Sequence, residues 1–228
     1  MFSFLSNTIQ GREQLTFIFT GTFALLDMMR NREDISKICM PIRISYLDEK
    51  SAQQLVVEPI LSNVTEKGKL QLDERVVEKI IYVTNSHPFL IQYLCISLIN
   101  RINQNGSSSI NIYDINEVIR EIISQRIHDM PFIVFWNEFA NYPEAKLLSI
   151  IAGHSSDNDP NVDLNTIIAA FKDNNEEIKP EMIIQFGAVL EDADLLSKSV
   201  SGSTWEYAIK IPLYRMWLKI NKPIKLVI

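Results

Sequence analysis

The stretch that decides the reading is residues 195–220, LLSKSVSGSTWEYAIKIPLYRMWLKI. LLSKSV (195–200) and TWEYAIKI (204–211) are short, apolar-alternating segments on either side of Ser201-Gly202-Ser203. Gly supplies the left-handed backbone that a tight hairpin turn needs, so the pair predicts two antiparallel strands. PLYRMWLKI (212–220) follows with Pro at its start, where a helix has no use for the missing N–H. The expectation is hairpin, then helix.

Working upstream, FWNEFANYPEAKLLSIIAGH (135–154) predicts one helix with Phe135, Phe139, Leu147, Leu148 and Ile151 inward. SSDNDPN (155–161) is loop by composition. VDLNTIIAAFKD (162–173) predicts a short helix capped by Asp163, and KPEMIIQFGAVLEDADLL (179–196) a second with Pro180 at its start. Three helices followed by a two-stranded wing is the winged form of the helix-turn-helix. A DNA-reading version needs cationic and base-contacting side chains on its second helix. Here Glu181, Glu191, Asp192 and Asp194 stand against Lys179. Phosphate repulsion disfavours DNA, although Lys198 and Lys210 lie on the wing, and a protein-packing role is expected instead.

The middle of the chain predicts four helices. They are 47–61, capped by Asp48 and ended or kinked at Pro59; 72–85, capped by Asp73; 87–104, with Pro88 in its first turn; and 112–127, capped by Asp114 with Glu117 three residues on. The first segment reads differently. LTFIFTGT (15–22) is an unbroken apolar run, FALLDMMRNRED (23–34) has helical spacing, and ICMPIRISYL (38–47) alternates Ile42, Ile44 and Tyr46. That is strand, helix, strand, with parallel strands. Such strands are buried on both faces. The sheet neighbours they require are therefore expected from outside these residues, through a longer chain or a partner. The fold class expected is mainly α with a small β component, divided as 1–47, 48–130 and 131–228.

Composition narrows the function classes. Of the 228 residues, 22 are Lys or Arg and 28 Asp or Glu, a net charge of −6. This argues against wholesale nucleic-acid binding, which uses a basic face. No apolar run approaches the ~20 residues of a spanning helix. The start lacks the basic n-region of a signal peptide. Cys39 and Cys95 have no CxxC spacing and read as buried free thiols of a cytoplasmic protein. GxxxxGK[ST], HExxH and GxSxG strings are absent, and the three His and two Cys are too scattered for a metal site.

Four strings in order carry a resemblance: FIFTGTFALL (17–26), PIRISYLDEKSAQQLVVEPI (41–60), TNSHPFLIQYLC (84–95) and IKIPLYRMWL (209–218). Together they resemble the C-terminal portion of a STAND-type, AAA+-related ATP-binding protein of the bacterial and archaeal AAA-like group. The resemblance implies that 1–47 are the last strands of a P-loop NTPase sheet at its sensor-1 end, 48–130 a four-helix lid, and 131–228 a winged helix. It implies nucleotide contact by Thr20, Thr22, His87 and Pro88, with Pro88 against the adenine ring. It also implies that ATP or ADP binds only when a P-loop domain completes the site, that a magnesium-holding acidic strand is not in this chain, and that lid and winged helix act as a nucleotide-biased switch in signal transduction. Implied partners are the rest of the NTPase core or a second copy, with protein partners besides. The family commonly has Gly-Gly where this chain has Asn85-Ser86, which speaks against a positive-φ turn there. Some relatives sense the β-phosphate with a winged-helix His; His154 lies in the first winged-helix segment without aligning to that position, and it reads as a helix-end His near terminal carbonyls. Arg43 and Arg215 could serve as phosphate ligands, but surface or interface pairing is the preferred reading, and Trp136, Trp205 and Trp217 read as core or inter-domain packing. A different class remains open: a non-enzymatic winged-helix module that binds a protein or DNA.

Overall fold

The computed structural model describes residues 18–21, 25, 28–29, 32, 37, 39–62, 64–65, 68–124 and 131–224. The chain divides into two compact units, Met1–Ile44 and Ser45–Ile228. Among the described residues the protein is mainly helical, with small sheets.

In the first unit Leu25, Met28 and Met29 are helical, in keeping with the spacing of 23–34. The strands expected over 15–22 and 38–47 are not formed at the described residues 18–21 and 39–47. Ile18, Met40, Ile42 and Ile44 are exposed there, Ile44 at 93%. The physical reason is the one the composition implies. A strand that is apolar on both faces is stable only between neighbours, and no described strand lies beside these residues in the ladders.

The second unit begins with four helices, α1 (Glu49–Ser62), α2 (Glu74–Thr84), α3 (Pro88–Asn105) and α4 (Ile112–Ser124). Their shared core is aliphatic: Val56, Ile60, Ile80, Leu94, Leu98 and Val118 are all buried. Asp48 accepts from the Ser51 N–H at 2.8 Å and Asp73 from the Arg75 N–H at 3.0 Å, as their cap positions predict. Pro59 lies inside α1, which runs on to Ser62. The cap of α4 is a correction. Asn111, not Asp114, accepts from the Tyr113 N–H at 2.8 Å, and Asp114 reaches back to the Asn111 N–H at 3.0 Å. Asp114 therefore fills the reciprocal place of a capping box. Residues 125–127, in the predicted fourth helix, lie outside the described residues. Two short pairings sit between helices. β1 (Val64–Thr65) and β2 (Gly68–Lys69) are antiparallel, whereas β3 (Gln71–Leu72) and β4 (Ser109–Ile110) are parallel.

The single helix expected over 135–154 is two: α5 (Pro131–Asn137) and α6 (Pro143–His154). Pro143 explains the break. It opens α6 and holds Tyr142 in extended backbone, φ −119° and ψ 155°. α6 is the hub of this half, with Leu147, Leu148, Ile150 and Ile151 fully buried. Around it stand α7 (Leu164–Asp173), α8 (Pro180–Asp192) and a sheet ordered β5-β7-β6. Asp163 caps α7 by accepting from the Asn165 and Thr166 N–H groups at 2.9 and 3.0 Å. β6 (Leu196–Ser201) and β7 (Thr204–Ile209) form the expected hairpin, closed by Ser201↔Thr204 with Gly202 at φ 61°. β5 (Val162–Asp163) adds a third, unforeseen strand to β7. α9 (Pro212–Asn221) closes the chain against α2, α4 and α6.

Gly187 of α8 sits where a Cβ would lie 2.6 Å from Cε1 of the buried Tyr207 ring. Its absence of a side chain lets the hairpin reach α8. Gly187→Ala gains helix propensity of about 1 kcal/mol, yet the overpacking should win, with a net loss of about 1–2 kcal/mol in urea unfolding. Adding Tyr207→Leu should recover part of that loss.

Candidate functional site at the start of α3

Helix α2 ends in a left-handed turn made without glycine. Asn85 has φ 48° and ψ 42°, and Ser86 φ 59°. The Asn85 N–H donates to the Tyr82 carbonyl at 3.2 Å and the Ser86 N–H to the Ile81 carbonyl at 3.1 Å, so the last carbonyls of α2 are satisfied. The positive φ that Asn-Ser in place of Gly-Gly argued against is therefore present. Asn tolerates this region and Ser does so at a cost.

His87 and Pro88 follow at once. His87 is the N-cap of α3 without a side-chain cap bond, and its carbonyl accepts from the Ile91 N–H at 3.0 Å. Pro88 occupies the first helical turn, half-buried, beside Phe89, which is 51% exposed. The His87 ring lies between two aromatics, edge-on to Tyr46 at 5.8 Å and tilted against Phe135 at 5.6 Å. Its Nδ1 is buried without a hydrogen-bond partner. Burial lowers the His87 pKa below its ordinary 6.5, and the nearby Asp194 charge partly offsets the effect.

Tyr46 and Asp194 complete the surroundings. The Tyr46 hydroxyl donates to the Asp194 carbonyl. Burial, then the Asp194 charge, holds that phenol well above its usual range. Asp194 has φ 60° and accepts from Ser45 Oγ at 3.0 Å and Lys210 Nζ at 2.9 Å. Beside this group lies a cleft of about 640 Å³ between Tyr82 and Asn85 on one wall and Ser197, Lys210 and Pro212 on the other. Arg215 also lines it, although the residue is 2% exposed. Its Nη1 donates to the Ser156 carbonyl at 2.6 Å and its Nη2 to Asp157 at 2.5 Å. Arg215 is thus a buried anchor for the loop after α6.

Of the residues marked from sequence, His87 and Pro88 stand together at this turn. Thr20 is exposed in the first unit, outside regular structure, and Thr22 lies outside the described residues. His154 Nδ1 lies 3.0 Å from the Ile150 carbonyl, a helix-end contact. Trp136 and Trp217 are buried, but Trp205 is 39% exposed with Lys198 Nζ 3.7 Å above its ring, so it is not core. Cys95 is buried, and desolvation raises its pKa to about 12. Cys39 is half-buried. Among the described residues no cluster of three or more His, Cys, Asp or Glu is placed to hold a metal ion. Tyr46 and Asp194 belong to this group without a sequence pattern that marks them for it: Tyr46 alternates with Ile42 and Ile44 as in a strand, and Asp194 is one acid among several at the end of α8. The one signal available for Asp194 is that Asp tolerates a left-handed turn after a helix. In comparisons with known proteins the chain matches no family model and no curated protein.

Two outcomes follow from this geometry. Ser86→Gly removes the left-handed penalty and leaves the carbonyl that receives the Leu47 N–H, so it should stabilise the fold by roughly 1 kcal/mol in chemical denaturation. His87 binds its proton more readily when unfolded. Its stabilising contribution is therefore complete above pH 6.5 and is lost as pH falls through the lower folded pKa. His87→Phe should flatten that part of the stability–pH curve, measured by urea midpoints between pH 7.5 and 5.

Proposed function

We propose that this chain is the regulatory lid and winged-helix portion of a STAND/AAA+-type ATP-binding switch protein, lacking its own phosphate-binding loop. The observation that carries the reading is the α2–α3 junction. His87-Pro88 opens α3 directly after two residues with positive φ, at the place where the resembled family has a pair of glycines. The order α6, α7, α8, hairpin, α9 supports taking 131–228 as the winged helix, and the bundle α1–α4 supports taking 48–130 as the lid. The apolar Met40, Ile42 and Ile44, exposed at alternate positions, fit a segment whose sheet neighbours come from elsewhere.

The nucleotide would meet only part of its site here. The half-exposed Pro88 ring and the exposed Phe89 offer an apolar surface for a flat base. The start of α3 supplies N–H groups with no intrahelical acceptor. Thr20 and Thr22 would lie toward the phosphates in the completed protein. With no GxxxxGK[ST] string in the sequence, tight ATP binding and hydrolysis by this chain alone are not expected. The switch consists of lid and winged helix taking one packing with ADP and another with ATP, the two ligands differing in affinity for the two states.

The test is calorimetry with ADP and ATP on this chain alone and on an assembly completed by a P-loop domain. Binding is expected only in the completed assembly, and Pro88→Ala should weaken ADP binding there by about tenfold, the loss of one apolar contact worth ~1–1.5 kcal/mol. Unchanged affinity after Pro88→Ala together with Thr20→Ala would sink the site assignment. Absence of binding by any folded form would favour the second reading, a non-enzymatic interaction module. The exposed Val200 and Trp205 at the hairpin end favour a protein over DNA in that case, as do Glu181, Glu191 and Asp192 on α8.

A further inference from the structure

Residues Ser45–Leu47 cross from one wall of the cleft to the other and are fastened on both sides. On the helical side the Leu47 N–H donates to the Ser86 carbonyl at 3.0 Å, and the Tyr46 ring stands edge-on to His87 at 5.8 Å. On the hairpin side the Tyr46 hydroxyl donates to the Asp194 carbonyl and Ser45 Oγ to Asp194 Oδ2 at 3.0 Å. Lys210 Nζ holds the other oxygen of Asp194 and lies 5.8 Å from the centre of the Tyr46 ring. We infer that Ser45–Leu47 is a releasable strap, with Asp194 as its catch and Tyr46 as the cover over His87.

Three observations make it a strap rather than part of the core. Its anchors, Ser86 and Asp194, are both non-glycine residues held at positive φ, a strained backbone kept in place by its contacts. Ser45 is exposed and Tyr46 and Leu47 are only half-buried, so the strap is held by its hydrogen bonds as well as by burial. Beneath it, the buried Nδ1 of His87 has no partner, a polar group that gains water once Tyr46 lifts. The remaining joint between the two halves is independent of it, because α9 packs on α2 and α4 and Asn221 Nδ2 donates to the Ile123 carbonyl at 2.8 Å. Release therefore uncovers the cleft without separating its walls.

Hydrogen exchange of the full chain, with Tyr46→Phe and Ser45→Ala compared separately with wild type, tests it. Each variant deletes one bond to Asp194 and leaves the backbone turn intact. Exchange at the Leu47 amide should rise by about tenfold, the effect of one lost hydrogen bond on a local opening, while the Leu148 amide in α6 stays unchanged. Carbethoxylation of His87 by diethyl pyrocarbonate should accelerate in parallel, with the exposed His154 as the internal reference. Unchanged exchange at Leu47 overturns the catch. An equal rise at Leu148 also overturns it, since the variants would then loosen the whole unit. Faster Leu47 exchange with unchanged His87 reactivity overturns the role of Tyr46 as a cover. Asp194→Asn, which tolerates the left-handed turn, gives a third variant judged by the same readouts.

Discussion

The structure of the second unit depends on the aromatic seam presented by α9. Tyr214 and Trp217 stack at 5.9 Å, Phe132 of α5 lies 5.7 Å from Tyr214, and Phe135 meets Tyr214 edge-on at 5.7 Å. Rings of this size bury large apolar areas and prefer these offset and edge-on geometries. The seam is where the bundle α1–α4 and the α6-centred half meet. Phe135 then touches His87, so the start of α3 is positioned by a chain of rings that begins in the last helix. The Tyr214 hydroxyl is fully buried without a hydrogen-bond partner, and its phenol is raised far above the ordinary range, first by burial and then by the Glu138 charge. It contributes as a ring, not as an acid.

Polar groups set the register within this apolar frame. Arg215, one helical position beyond Tyr214, is buried and ion-paired with Asp157, which is largely exposed. A buried cation is tolerated only when hydrogen-bonded; the Ser156 carbonyl and Asp157 meet that need at the two Nη nitrogens and pin the loop after α6, whereas Nε is buried without a partner among the described residues. At the α2–α3 junction the backbone does similar work. The turn at Asn85-Ser86 satisfies the end of α2 and starts α3 within three residues, so Asn85 and Ser86 line the cleft while His87 and Pro88 follow outside its lining.

Much of the helix pattern in the second unit was legible because local chemistry and tertiary packing agree there. Asp48, Asp73 and Asp163 cap the helices they precede, and Pro88, Pro180 and Pro212 open theirs. Where several local solutions compete, the sequence pattern misled. Asp114 with Glu117 looks like a cap, yet Asn111 with Asp114 is the pair that forms. The apolar spacing of 135–154 suits one helix, but Pro143 divides it. The first unit differs in kind. Its apolar runs announce strands, and the described residues 18–21 and 39–44 form none, because strand pairing requires neighbours that local sequence does not provide.

By itself the sequence determined the mainly helical class, the positions of most helix starts, the hairpin around Gly202, and His87-Pro88 as a marked helix opening. These follow from side chains acting on their own backbone within a few residues. Only the tertiary structure decided that Asp194 and Ser45, 149 residues apart, would share a hydrogen bond. The same holds for Tyr46 covering His87 and for Asn85 and Ser86 both adopting positive φ. Each of those depends on what packs across the cleft, and a strained turn persists only when its contacts hold it there.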